Sequence, residues 1–139
     1  MFEYIYTMTV KKLFRKINIS SVINAGATDK SDLKLLAKKL NIPVKINWLK
    51  DYDKNDNGPQ ILNIGNPNIG GTHWCATYNG KYFDPFGIIG PPELQHLEWI
   101  PLQIQSVKSG HCGQYAMLWL YYMMRGEEDQ FYNMFTIDV

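Results

Sequence analysis

Cysteine is scarce: Cys75 and Cys112 are the only two in 139 residues. A disulfide framework cannot replace a core here, so the chain reads as one at home in a reducing compartment. The opening MFEYIYTMTV lacks a charged segment followed by a long apolar stretch, so no cleavable signal is expected. The run Tyr115 to Met124 (YAMLWLYYMM) is apolar but far short of the roughly 20 residues that span a bilayer, so no membrane contact is expected. Repeats, low-complexity segments and linkers are absent too, which leaves a single domain over 1–139. What is abundant is core material: 45% apolar residues, with four tryptophans and nine tyrosines.

The chemistry-bearing residues fall in two places. Thr72 to Tyr78 (THWCATY) and Lys81 to Asp84 (KYFD) read as strands joined by Asn79-Gly80, a pair suited to the positive φ angles of a two-residue hairpin loop. That loop puts Tyr78 opposite Lys81 and Asp84 opposite Cys75. With side chains alternating, His73, Cys75, Thr77, Tyr82 and Asp84 share one face, and Trp74, Ala76, Tyr78 and Phe83 take the other. His73 and Asp84 become a diagonal pair with Cβ atoms roughly 7 Å apart, within reach of an imidazole–carboxylate hydrogen bond. A slip of one residue would send Asp84 to the wrong face.

The second place is Ser109 to Gln114 (SGHCGQ), which leads into the apolar run and its Arg125-Gly126 stop, a helix with a basic last turn. Because that helix is apolar on nearly every side, it is expected to be buried and central. Cys112 stands at its amino terminus, where unpaired N–H groups and the positive end of the dipole favour a thiolate. The alternative is a small buried residue at a cap. Seven residues earlier, in the extended-looking Leu102-Gln103-Ile104-Gln105, a side-chain amide could join the Cys112 N–H as an oxyanion donor; the residues alone do not choose between Gln103 and Gln105. His111 adjoins the thiol, but neighbours at a helix start diverge, so a capping or solvent-facing role is expected for it, and His96 has no partner pattern.

GGTHW at 70–74, YFDPFG at 82–87, Pro91-Pro92, Gln105 and the CG pair at 112–113 together resemble the adenovirus-type (adenain-like) cysteine proteases, especially those of virophages and Polinton-like elements. The order His, Asp, Gln, Cys is also that of the wider group containing the SUMO-specific proteases, and the resemblance covers roughly residues 26 to 125. It implies an α+β, papain-like fold of the adenain/SUMO-protease type, its buried helix carrying the nucleophile and packing on a mostly antiparallel sheet. It implies His73 as base, Asp84 as its orienting partner, Cys112 as nucleophile and Gln105 rather than Gln103 as oxyanion donor. Asp84 stands where the adenovirus enzymes usually have glutamate. The implied activity is a monomeric thiol endopeptidase, without metal or cofactor, that cleaves viral capsid precursors after glycine or another small residue, in the virion or the host cytoplasm. Nothing in the chain matches the cysteine through which the adenovirus enzyme links its activating peptide.

Two rivals carry other chemistry or substrates. A deconjugating enzyme for ubiquitin-like modifiers would use the same residues, and Trp74 beside His73 would suit the narrow glycine tunnel of either enzyme. A zinc module could use His73, Cys75, Asp84 and His111-Cys112, although that spacing fits no familiar finger and leaves Gln105 unexplained.

The net charge of +1 hides an asymmetry, with ten Lys/Arg against three Asp/Glu in residues 1–50 and four against ten thereafter. Lys30, Lys34 and Lys38 recur on a helix expected over about 29–40, whose Leu33, Leu36, Ala37 and Leu40 form the apolar side. An ordinary solvated face is the simpler reading, and weak DNA association the other. Val44, Ile46 and Trp48, then Gln60 to Ile64, read as half-buried strands around a polar loop, Asp51 to Gly58, that lacks the glycine and closing glutamate of a calcium loop. Asn66 to Gly71 is a turn-rich approach to His73 whose glycines would let a substrate backbone pass close to the strand, and Ile88 to Pro92 is a loop whose apolar residues could wall a subsite or, as the simpler reading, cover the core.

Overall fold

The computed structural model describes residues 29–65, 73–103 and 112–133. Gln105, His111, the approach at 66–71 and the basic residues of the first 28 positions lie outside the described residues.

Helix α1 (Lys30–Leu40) starts where expected because Asp29 and Asp32 cap it reciprocally: the Asp29 carboxylate accepts from Asp32 N (2.9 Å) and the Asp32 carboxylate from Asp29 N (3.4 Å). Leu33, Leu36 and Ala37 are buried, while Lys30, Lys34 and Lys38 are exposed on the other side. Strand β1 (Lys45–Trp48) is half-buried as its alternation predicts. Strand β2 (Gln60–Asn63) is not: all four residues are buried, because both faces of the sheet are covered at this point.

Strands β3 (Trp74–Tyr78) and β4 (Lys81–Phe83) form the expected hairpin. Asn79 and Gly80 both take positive φ, 50° and 78°, and the register is Tyr78↔Lys81, Thr77↔Tyr82 and Ala76↔Phe83. The five-stranded sheet runs β1-β2-β3-β4-β5, the last strand being Glu98–Trp99. Its pairing departs from the expected mostly antiparallel one. The central β2/β3 and β3/β4 pairs are antiparallel, but β1/β2 and β4/β5 are parallel, so the sheet is mixed. The physical reason is that 49–59 and 84–97 return along the length of the sheet before pairing, which a tight hairpin cannot do. Gln60 holds the first of these connections, donating to Asp53 O (2.9 Å) and Asp56 O (3.0 Å), while Lys45 Nζ bridges the Asp53 and Asp56 carboxylates at 3.1 and 2.7 Å.

Helix α2 (Cys112–Met124) packs across the sheet face carrying Ile46, Ile61, Trp74, Ala76 and Phe83, with α1 and the short α3 (Glu128–Asn133) beside it. Every residue from Cys112 to Leu120 is buried. The helix ends at Gly126, whose φ of 70° lets Gly126 N reach Met123 O (3.0 Å) and Glu127 N reach Tyr122 O (2.8 Å). Arg125 falls just past the last turn, over the Tyr121 ring at 5.1 Å. On the opposite sheet face, Leu62, Cys75, Tyr82 and Leu94 form a smaller core under loops. Ile88 and Ile89 do not cover it: they are 49% and 61% exposed, since Gly90 and Leu94 already fill that place against Tyr82.

Candidate active site

The hairpin register delivers the first half of the site. His73 immediately precedes β3 and is tied to β2 through its carbonyl, which accepts from Ile64 N at 3.0 Å. Asp84 immediately follows β4, so the diagonal pairing is realised: His73 Nε2 lies 2.8 Å from Asp84 Oδ2. The Asp84 side chain is buried, at 1% exposure, and three donors satisfy it. Phe86 N donates to Oδ1 at 2.8 Å, and Tyr82 OH donates to Oδ2 at 3.1 Å alongside His73. A carboxylate accepts only, so the proton of the neutral ring sits on Nε2 and Nδ1 carries the lone pair.

Cys112 supplies the second half, from the first position of α2, where it is buried at 4% exposure. Its sulfur accepts a hydrogen bond from Trp74 N at 3.3 Å, so the residue after the histidine fastens the helix start to the strand start. The thiol lies near enough to the imidazole to raise it. Nδ1, the nitrogen that Asp84 leaves, is buried without a bond of ordinary geometry, so it is the nitrogen available to the thiol. Burial alone would push His73 down, but hydrogen bonds and charge from Asp84, then from Cys112, outweigh it and raise the imidazole from 6.5 to about 9. The arrangement can hold a proton on the imidazole beside a sulfur that accepts from the Trp74 amide and belongs to the first residue of a helix.

Phe86 closes one face of the imidazole, its ring stacked at 4.2 Å between centroids and 8° between planes. The turn Asp84 to Gly87 holds that ring: Gly87 N donates to Asp84 O (2.8 Å), and Gly87 has φ of 72°. A Cβ at Gly87 would come within 3.0–3.1 Å of Gln103, so the chain at 100–103 passes directly against the turn.

Of the predicted site residues, His73, Asp84 and Cys112 are brought together, and Gln105 lies outside the described residues. Cys75 is set apart. Its thiol is fully buried, donates to Leu62 O at 3.5 Å in the smaller core, and is pushed up by burial. Among the described residues no cluster of three or more His, Cys, Asp or Glu side chains is arranged to hold a metal ion. Trp74 is 5% exposed, and its side chain packs within the main core. His96 is exposed and meets the Tyr52 hydroxyl at 3.2 Å.

Three contributors escaped the sequence reading. The Tyr82 hydroxyl could have been found, since alternation places Tyr82 on the face of Asp84. The Phe86 ring had a weaker signal, two residues beyond Asp84 in a turn. The Trp74 amide had none, because a backbone donor leaves no mark in side-chain chemistry. No family model, curated protein or solved structure matches this chain.

Proposed function

We propose that the protein is a cysteine endopeptidase of the papain-like, adenain type. The observation that carries the reading is the imidazole held by Asp84 on Nε2 at 2.8 Å, with Nδ1 buried and open and the Cys112 thiol, at a helix start, acting on the ring. His73 Nδ1 takes the thiol proton, and the sulfur attacks a peptide carbonyl. The oxyanion draws on the Cys112 N–H and, as the family resemblance implies, on Gln105. The intermediate collapses as His73 returns the proton to the leaving amine, giving a thioester and a free amino terminus. Water then attacks the thioester with His73 again as base, releasing the acid and restoring the thiol. Asp84 keeps the ring oriented throughout. Capsid precursors as substrates, cleavage after glycine or a small residue, and a virion or cytoplasmic setting rest on the resemblance alone.

The test is alkylation by iodoacetamide, mapped by peptide mass, with and without EDTA. The expected result is modification of Cys112 in preference to Cys75, indifferent to EDTA and slowed in His73→Ala. Peptides with glycine before the scissile bond should be cleaved by the wild type and left intact by Cys112→Ala. An equally active Cys112→Ala protein overturns the proposal, and protection of both cysteines until EDTA is added would replace it with a zinc site.

A further inference from the structure

A single hydrogen bond restrains an imidazole incompletely. The bond from His73 Nε2 to Asp84 Oδ2 fixes one ring nitrogen, but histidine has a broad second side-chain torsion, so the plane can still tilt and carry Nδ1 away from the sulfur. The near-parallel Phe86 ring at 4.2 Å removes that freedom on one face. Phe86 is itself fixed from two directions, by its N–H on Asp84 Oδ1 and by the neighbouring Gly87 seated on Gln103. The same four-residue turn therefore supplies both the acceptor in the plane of the ring and the wall across it.

We propose that Phe86 is a positioning residue for His73: its ring sets the plane in which Nδ1 meets the Cys112 thiol, and its electron-rich face favours the imidazolium over the neutral ring. This rests on the cysteine-protease reading for its consequence, but the stack itself is tested independently of it. The titratable groups acting on His73 are Asp84 and Cys112, with Tyr82 and Cys75 acting behind them on Asp84. Replacing Phe86 changes none of these groups, and leucine keeps most of the cover over the imidazole; any burial it does relieve would raise His73, so a fall in the His73 titration reports the lost aromatic face.

The experiment follows the His73 ring nitrogens by 15N NMR from pH 6 to 10 in the full chain, together with the iodoacetamide rate at Cys112, in wild type, Phe86→Leu and Phe86→Tyr. Wild-type His73 titrates near 9. Phe86→Leu brings that value down by about 0.5–1 pH unit and slows alkylation about threefold to tenfold, the size of one lost aromatic contact. Phe86→Tyr, which keeps the stack, restores both. A folded Phe86→Leu protein that titrates like the wild type overturns the proposal, as does Phe86→Tyr shifting as far as leucine; Phe86→Met replaces leucine if that variant unfolds. A wild type whose Cys112 reacts independently of His73 sinks the protease reading, while the NMR titration still decides the stack.

Discussion

Asp84→Asn changes one atom and alters which nitrogen of His73 carries the proton. The carboxylate uses both oxygens as acceptors, Oδ1 for Phe86 N at 2.8 Å and Oδ2 for His73 Nε2 at 2.8 Å and Tyr82 OH at 3.1 Å. An amide keeps only one oxygen. With that oxygen on Phe86, the new NH2 faces Nε2, which must become an acceptor, and the ring proton moves to Nδ1, where it blocks the transfer from Cys112. With the amide flipped, two N–H groups confront each other at Phe86 and the turn loosens.

The magnitude follows from the rise of His73 from 6.5 to about 9, which is about 3 kcal/mol at 1.36 kcal/mol per pH unit. Asp84 is the foremost source of that rise, so its loss returns the imidazole toward 6.5 and costs about two decades in thiol reactivity. The wrong tautomer adds to this, and the corresponding change in a serine triad costs about 10⁴ in turnover. The expected fall at Cys112 is therefore about 10²–10⁴, read as the second-order rate constant for iodoacetamide, with 15N NMR reporting the move from Nε2–H to Nδ1–H. An Asp84→Asn protein that keeps Nε2–H, titrates near 9 and alkylates within about threefold of wild type refutes the reasoning.

Gly87→Ala forces a Cβ to within 3.0–3.1 Å of Gln103 at a φ of 72°, and should cost about 1–3 kcal/mol in urea unfolding; a change under about 0.5 kcal/mol contradicts the packing described. Tyr82→Phe removes a buried donor to Asp84 and should cost about 1–3 kcal/mol by the same measurement, leaving the sheet intact by circular dichroism. The pH dependence of stability is read in Cys112→Ser, where His73 titrates without the coupled thiol. Asp84 still holds its folded value above its unfolded one, though below the wild type's value of about 9 because the contribution of Cys112 is gone, so its stabilisation is complete below pH 6.5 and is lost as pH rises through the folded value. The unfolding free energy from urea titration should fall across that window, by less than about 3 kcal/mol, and His73→Gln in the same background should flatten the fall.

The pairing of His73 with Asp84 was legible because a two-residue Asn-Gly loop fixes register locally: once Asn79 and Gly80 both take positive φ, every partner back to Asp84 follows without knowledge of the rest of the chain. Cys112 at the start of a buried helix was legible for a similar reason, since an apolar run and a glycine stop bound that helix from within. What stayed hidden depends on segments that meet only in three dimensions. The parallel edges arise because 49–59 and 84–97 double back, and nothing within either segment states where it lands. Ile88 and Ile89 read as core by composition, yet the space over Tyr82 was already taken by Gly90 and Leu94, a competition that no hydrophobicity pattern records. Phe86 shows the limit most sharply. Its place two residues after Asp84 was visible, but its stack on His73 needs the Asp84 to Gly87 turn to close in one way, and that closure depends on Gly87 meeting Gln103, sixteen residues further along the chain. Local rules thus fix which groups come together, while the precision of their alignment comes from contacts distant in sequence. Substitutions at Gly87 and Phe86 should therefore disturb His73 while the Asp84 carboxylate and the Cys112 thiol both remain in the chain.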